Sequence, residues 1–468
     1  MLRPLLRRGL HTPPRYAAAA AATQAPTPPP ASTPPAVRSS NTGPVFHSSP
    51  PQPVAVSASG VAFTLADGSR VLDGMSGGAA VSCLGSSNPD LVKIMAEQAE
   101  AMPYAYHGAL HHSKSEALAS YLCSKSEGAF VAGAFFNSGE YPVSYWLERG
   151  EPDRTYIIGR EYAYHGNTIG ALGVGYTPAR RNLYSPYFTD VYQRVSMPSP
   201  RLMQEGESEE AFSRRMADEL DAKIRSLGTE KCAAFLVEPV GGSGPGIIPP
   251  PRGYFPAMAE VVRSHGLLLA MDEVMCGSGR SGDLFAHKTV AEGVKPDVVS
   301  MAKGLGAAYV SISAVLVNQH VADTIRANGP WKNSHTYQNH PVNCAVALAA
   351  VQKIEKLFPN VRARGEQIVA ELREAFRGDP VVYGVRGQGL FIGTEFEVPK
   401  GLKTRFAPRV KEVAMKNGLI SLGITGGIDG DAGDVLMLAP AYTITEAEAS
   451  EMVRIVKQSV DEVKKELL

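Results

Sequence analysis

From Ala132 to Val317 the chain alternates short apolar runs with longer stretches that mix polar and apolar residues. The runs are Phe135-Phe136, Tyr156-Ile157-Ile158, Ala233 to Val237, Leu267 to Met271, Val298 to Met301 and Ile312 to Val317. Strands buried on both faces need such continuous apolar runs, and the mixed stretches between them suit covering helices. The pattern predicts an α/β fold with a mostly parallel sheet and helices on both faces. Sheets of this kind take ligands outside the carboxyl ends of their strands.

Two of the runs lead into groups with chemistry to offer. Lys303 closes the stretch Asp297-Val298-Val299-Ser300-Met301-Ala302 and is followed by Gly304 and Gly306. It would stand at a strand terminus with room beside it for a planar ring. A lysine so placed can form a Schiff base with pyridoxal phosphate. Asp272, the first of the pair Asp272-Glu273, follows Leu267 to Met271. It would lie at the same sheet edge, where a carboxylate can keep a pyridine nitrogen protonated. Singly, a lysine beside a glycine is usually a surface residue and an Asp-Glu pair usually a turn. The two together, at one edge, point to a cofactor.

Bulk charge narrows the ligand. The 468 residues carry 46 basic and 46 acidic side chains, which points to neither nucleic acid nor a membrane surface. A small neutral or zwitterionic ligand fits better. No apolar stretch approaches the roughly 20 residues of a membrane span. Five cysteines, Cys83, Cys123, Cys232, Cys276 and Cys344, are scattered without zinc-site spacing and read as reduced thiols. No metal site is expected. Cys276 stands close enough to Asp272 in sequence to line the pocket.

Residues 1–66 contain no Asp or Glu but carry Arg3, Arg7, Arg8, Arg15 and Arg38. On a helical wheel Leu2, Leu5, Leu6 and Leu10 oppose the first four arginines, the pattern of a mitochondrial presequence. A plain flexible tail on a cytoplasmic protein is the alternative. An alanine tract and a proline-rich stretch follow, which cannot bury a core. Residues 1–53 are therefore set apart. Residues 54–127 open with a hairpin pattern, Val54 to Val56 and Val61 to Leu65, and a capped helix at Asn88-Pro89-Asp90. Residues 128–345 form the large domain. Residues 346–468 carry two helical patterns, two short strands and a last helix from Glu446, a smaller α+β domain to which 54–127 contributes.

With these features together, the chain resembles the class III, ω-amino-acid type, aminotransferases of the fold-type-I pyridoxal phosphate enzymes. The resemblance runs from about Val56 to Leu468. It is most specific in Met271-Asp272-Glu273-Val274-Met275-Cys276-Gly277-Ser278-Gly279-Arg280-Ser281-Gly282, Ala302-Lys303-Gly304-Leu305-Gly306 and Ser334-His335-Thr336-Tyr337-Gln338-Asn339-His340-Pro341. It implies that Lys303 binds the cofactor covalently and then shuttles the substrate proton, with Asp272 at the ring nitrogen. It implies that Tyr164, beside His165 and Gly166, stacks on one ring face and Val274 packs the other. Ser138 and Gly139 would hold the phosphate, and Thr336 would donate to the phosphate of a neighbouring subunit, making a homodimer. Glu238, in Glu238-Pro239-Val240-Gly241-Gly242, takes the substrate-facing glutamate position, although a buried acid held by an arginine would read the same. Amino donor and 2-oxo acid acceptor are the implied substrates.

The chain departs from this pattern after Gly139. It reads Glu140-Tyr141-Pro142-Val143-Ser144 and then Tyr145-Trp146-Leu147-Glu148-Arg149-Gly150. Against the family form about eight residues are missing, roughly 12 Å of helix. Glu140 also brings a like charge towards a phosphate dianion. The stretch from Asn417 to Val453 has neither Arg nor Lys, so a carboxylate clamp there is absent. Arg386 remains as a clamp candidate or as a structural ion-pair partner. Three readings follow: an aminotransferase, an aminomutase or decarboxylase of the same fold, and a homologue impaired by the shortened phosphate cup.

Overall fold

The structure is a computed structural model that describes residues 52–137, 145–329, 331–399, 402–427 and 432–468. The presequence pattern and the phosphate-cup residues Ser138 and Gly139 lie outside the described residues. Residues Ala55–Leu468 form one compact unit.

That unit opens with strands β1 (Ala55–Ser59), β2 (Ala62–Leu65) and β3 (Arg70–Asp73), paired antiparallel in order. The sequence pattern predicts only the first two. The second turn closes on Asp67, whose Oδ1 accepts from Ser69 N at 2.9 Å. The helix Pro89–Ala101 follows, with Asn88 Oδ1 accepting from Leu91 N and proline in its first turn, as the residues there predict.

The central sheet has seven strands: β4 (Ala132–Phe136), β5 (Tyr156–Arg160), β6 (Tyr192–Val195), β7 (Cys232–Val237), β8 (Leu268–Asp272), β9 (Val298–Met301) and β10 (Ser313–Val317). Their spatial order is β4-β10-β9-β8-β7-β5-β6. The pairings from β9 through β8, β7 and β5 to β6 are all parallel. β10 runs antiparallel to both β9 and β4. Apolar residues on successive positions serve both faces. On β4, Phe135 joins the core with helices Glu209–Leu227 and Tyr254–Ser264, while Ala134 and Phe136 join the opposite core with helix Gln319–Ala327.

A third sheet is built from β11 (Val382–Gly387), β12 (Ile392–Phe396), β14 (Leu422–Ile424) and β15 (Asp434–Leu438), in the order β11-β12-β15-β14. Between β12 and β14 the short β13 (Leu419–Ile420) pairs parallel with β3. The last helix, Glu446–Leu467, starts on a capping box, Thr445 Oγ1 accepting from Glu448 N at 3.3 Å while Glu448 Oε2 accepts from Thr445 N at 3.0 Å.

Candidate active site

The carboxyl ends of β5, β7, β8 and β9 lie side by side and carry the candidate groups. Asp272 is the last residue of β8 and is in register with Ser300 of β9, three residues before Lys303. Met271 is in register with Val237, so Glu238 leaves β7 beside Asp272. β5 ends at Arg160, and the chain turns through Tyr162 to Tyr164 and His165. Arg160 is buried and donates from Nη2 to Glu238 O at 2.8 Å, tying the ends of β5 and β7 together.

Lys303 begins a short 3₁₀ turn, Lys303–Gly306, with φ of 45°, a left-handed value that a side chain with a Cβ adopts at a cost. Strain of that kind persists where surrounding structure dictates it. Among the described residues its Nζ has no hydrogen bond or ion pair, yet Asp272 and Glu238 both act on it electrostatically. Desolvation pulls the ammonium below its ordinary pKa, and the two carboxylates oppose that shift. An unbonded amine that holds its proton less tightly than an ordinary lysine suits nucleophilic attack on a carbonyl.

Asp272 is held from two sides. Its Oδ2 bonds His165 Nδ1 at 2.8 Å, and its Oδ1 accepts from Val274 N at 3.0 Å. Val274 thus sits in the turn directly after the acid. His165 Nε2 is buried and has no partner. Cys276 is buried with its Sγ 3.8 Å from Asp272 O, and burial pushes its thiol pKa well up, so it acts as filler beside the acid rather than as a thiolate.

Glu238 is buried and accepts from Gly242 N at 3.0 Å and Tyr164 N at 3.4 Å. Among the described residues no arginine side chain bonds its carboxylate; the bonds come from backbone N–H groups of its own loop and of the Tyr164 loop. Burial holds its carboxyl above the usual range, with His165 and Arg160 working against that. Glu273, fully buried, is turned away to a different task. It accepts from Ala286 N at 2.5 Å, His287 N at 2.9 Å and His287 Nδ1 at 2.7 Å.

Two other candidates stand apart. Arg386 on β11 donates from Nε to Ile247 O at 2.6 Å and from Nη2 to Gly246 O at 3.0 Å, and its Nη1 is paired with Glu395. A carboxylate clamp made of Arg386 would have to exchange those partners. Thr336 is exposed, and its carbonyl accepts from Tyr104 Oη at 2.7 Å. Arg180, which no motif flags, is brought in by the fold: its guanidinium carbon lies 4.5 Å from the Tyr164 ring centroid. Two adjacent arginines in a polar turn look like surface charge in the sequence.

The loop that carries Tyr164 rests against the loop after Glu238. A Cβ on Gly244 would come 1.7 Å from Tyr162 O, so backbone packs on backbone there. Gly244→Ala is expected to cost about 1–3 kcal/mol by overpacking. Urea unfolding would show a lower midpoint, and cofactor titration a Kd raised several-fold because Tyr164 and His165 shift with Tyr162.

The residues fit pyridoxal phosphate. They offer an unbonded amine, a carboxylate facing the same edge, and an imidazole whose remaining nitrogen is buried without a partner. Comparison with known proteins agrees. The family model described as aminotransferase class-III matches residues 47–460. An uncharacterised aminotransferase of Schizosaccharomyces pombe is 34% identical over 443 residues, covering 90% of this chain and 96% of that protein. The mitochondrial γ-aminobutyrate transaminase 1 of Solanum lycopersicum is 34% identical over 415 residues, covering 82% and 76%. The ω-transaminase of Pseudomonas jessenii in complex with PMP superposes with a TM-score of 0.81 at 28% identity, covering 89% of this chain and 94% of that one. The chain belongs to the class-III aminotransferases, enzymes of fold type I that depend on pyridoxal phosphate.

Proposed function

We propose that this aminotransferase moves an amino group from an ω-amino acid or amine to a 2-oxo acid. The observation that carries the reading is the unbonded Lys303 amine beside Asp272 at one sheet edge. The ω-transaminase and γ-aminobutyrate transaminase names of similar proteins support the donor class.

When bound, pyridoxal phosphate supplies a carbonyl carbon for the amine and a ring that withdraws electrons from the substrate α-carbon. Lys303 Nζ would hold it and, when released, would carry the proton to and from that carbon. Asp272, fixed by His165 and Val274 N, presents an anion to the ring nitrogen. Tyr164 and Val274 would hold the ring, and Glu238 would face the substrate. Arg386 is the clamp candidate for a carboxylate, and Ser138 and Gly139 the phosphate contacts.

We place Thr336 at the phosphate of a partner subunit in a homodimer. Its exposure supports this, as do the exposed Tyr104 and Tyr337 beside it, with their rings 5.8 Å apart. We place the protein in mitochondria, on the arginine-rich start of the chain and on relatives whose names are mitochondrial. The pairing of β3 with β13 supports assigning 54–127 to the smaller domain with 346–468, around a large domain of 128–345.

One observation favours a second reading, weak cofactor retention. Among the described residues the helix after β4 covers Tyr145–Glu148, short for a phosphate-cup helix, and Trp146 Nε1 donates to Ala233 O at 3.1 Å. A donor and acceptor screen on the purified full-length protein, with the visible spectrum recorded, tests both. A saturable visible band and one oxo product per amino product are expected. Carbon dioxide release or a rearranged single product would replace the reading with a decarboxylase or mutase. Absence of a band at millimolar cofactor would favour the impaired homologue.

A further inference from the structure

In the segment after the Tyr164-His165 loop, Arg180, Arg181 and Arg194 sit on aromatic rings, and among the described residues no carboxylate is hydrogen-bonded to any of them, while Glu161 acts electrostatically on Arg194. Arg180 lies over Tyr164 at 4.5 Å, Arg181 over Phe188 at 4.3 Å and Tyr176 at 5.6 Å, and Arg194 over Tyr176 at 5.1 Å. Arg194 Nη2 donates to Gly173 O at 3.2 Å, and the Nε atoms of Arg181 and Arg194 are buried without a partner. Each aromatic face holds its guanidinium by cation–π attraction without using its N–H donors, one of which Arg194 gives to Gly173 O. Unpaired positive charge held this way attracts an oxyanion.

Position decides which oxyanion. Of the three, Arg180 is the one on Tyr164, whose backbone N–H bonds Glu238 and whose neighbour His165 bonds Asp272. Arg180 also acts electrostatically on the Lys303 amine. The other arginines nearby are committed: Arg160 to Glu238 O, Arg386 to Glu395 and two carbonyls, and Arg280 to Leu390 O, Pro440 O and Ser76 Oγ. The site already holds two acids, so a substrate carboxylate entering it needs a cation.

We propose that Arg180, stacked on Tyr164, receives the carboxylate of the 2-oxo acid acceptor. This rests on the aminotransferase reading above. It makes Arg180 a residue that selects acids over uncharged carbonyl compounds.

Arg180→Met and Arg180→Lys test it. With Arg180→Met, kcat/KM for pyruvate is expected to fall roughly thirtyfold or more, while that for propanal, which lacks the carboxylate, stays within about twofold. Arg180→Lys should recover part of the loss, since it returns the charge without the planar fork. Malonate, an unreactive dicarboxylate, should bind the holoenzyme by calorimetry with a Kd raised about tenfold or more in Arg180→Met.

Equal losses with pyruvate and propanal would overturn the proposal and make Arg180 a support for Tyr164. A raised cofactor Kd with an unchanged ratio of acid to aldehyde would overturn it in favour of the cofactor phosphate. If the native enzyme transferred an amino group to neither acceptor, the reading of function would fail, and the malonate Kd would still decide the role of Arg180.

Discussion

Lys303→Ala is expected to lower kcat by at least roughly a thousandfold, which is about 4 kcal/mol of barrier. The same variant should give no visible band from a lysine-bound cofactor. Two contributions are lost at once, the covalent hold and the proton carrier, so the variant cannot be rescued by saturating substrate. The apoprotein gives an independent readout. Burial depresses the pKa of Lys303 in the folded state, so at neutral pH the unfolded chain holds that proton more readily than the folded one. The resulting penalty on folding applies in full below the depressed value and fades as pH rises towards the ordinary lysine value near roughly 10. Lys303→Met apoprotein should therefore unfold at higher urea than native apoprotein at pH 7, with the gap closing as pH rises. A gap that widened with pH would mean the amine is stabilised as a cation and is no nucleophile.

Which parts of this site the residues announce, and which they hide, follows from physics. The six apolar runs coincide with β4, β5, β7, β8, β9 and β10 because strands covered on both faces have no room for polar side chains. β6, Tyr192-Gln193-Arg194-Val195, escapes because it is an edge strand of which only Val195 is buried. The reversal of β10 is equally hidden, since an apolar run carries no direction. The first of the two helical patterns assigned to the smaller domain belongs to a helix that starts at Pro341, whose ring suits a first turn but adds nothing to an apolar period.

Lys303 and Asp272 are legible because each ends a run and the chemistry demands their types. Arg180 is not, because its meaning lies in a ring 16 positions earlier that only the folded loop supplies. Glu238 is half legible: its place after β7 is marked, but its bonds to Gly242 N and Tyr164 N depend on two loop conformations. The phosphate-cup residues Ser138 and Gly139 lie outside the described residues, so their role stays with the sequence pattern.

The adjacent acids Asp272 and Glu273 look interchangeable in sequence, yet replacing them should fail in opposite ways. Asp272→Asn keeps the side-chain size and the bond from Val274 N to Oδ1 but removes the charge that faces His165. Its kcat is expected to fall roughly a hundredfold to a thousandfold, about 3–4 kcal/mol, with the urea midpoint nearly unchanged. Glu273→Ala leaves two buried backbone N–H groups and the His287 ring without their acceptor, in a place water does not reach. Stranding those donors should cost about 3–5 kcal/mol of stability, while the rate per folded molecule stays within about tenfold. Stability and active-site concentration, the latter titrated by cofactor absorbance, separate the two effects. If Asp272→Asn unfolded the protein and Glu273→Ala spared it, the functional and structural roles of the pair would be the reverse of those their hydrogen bonds assign.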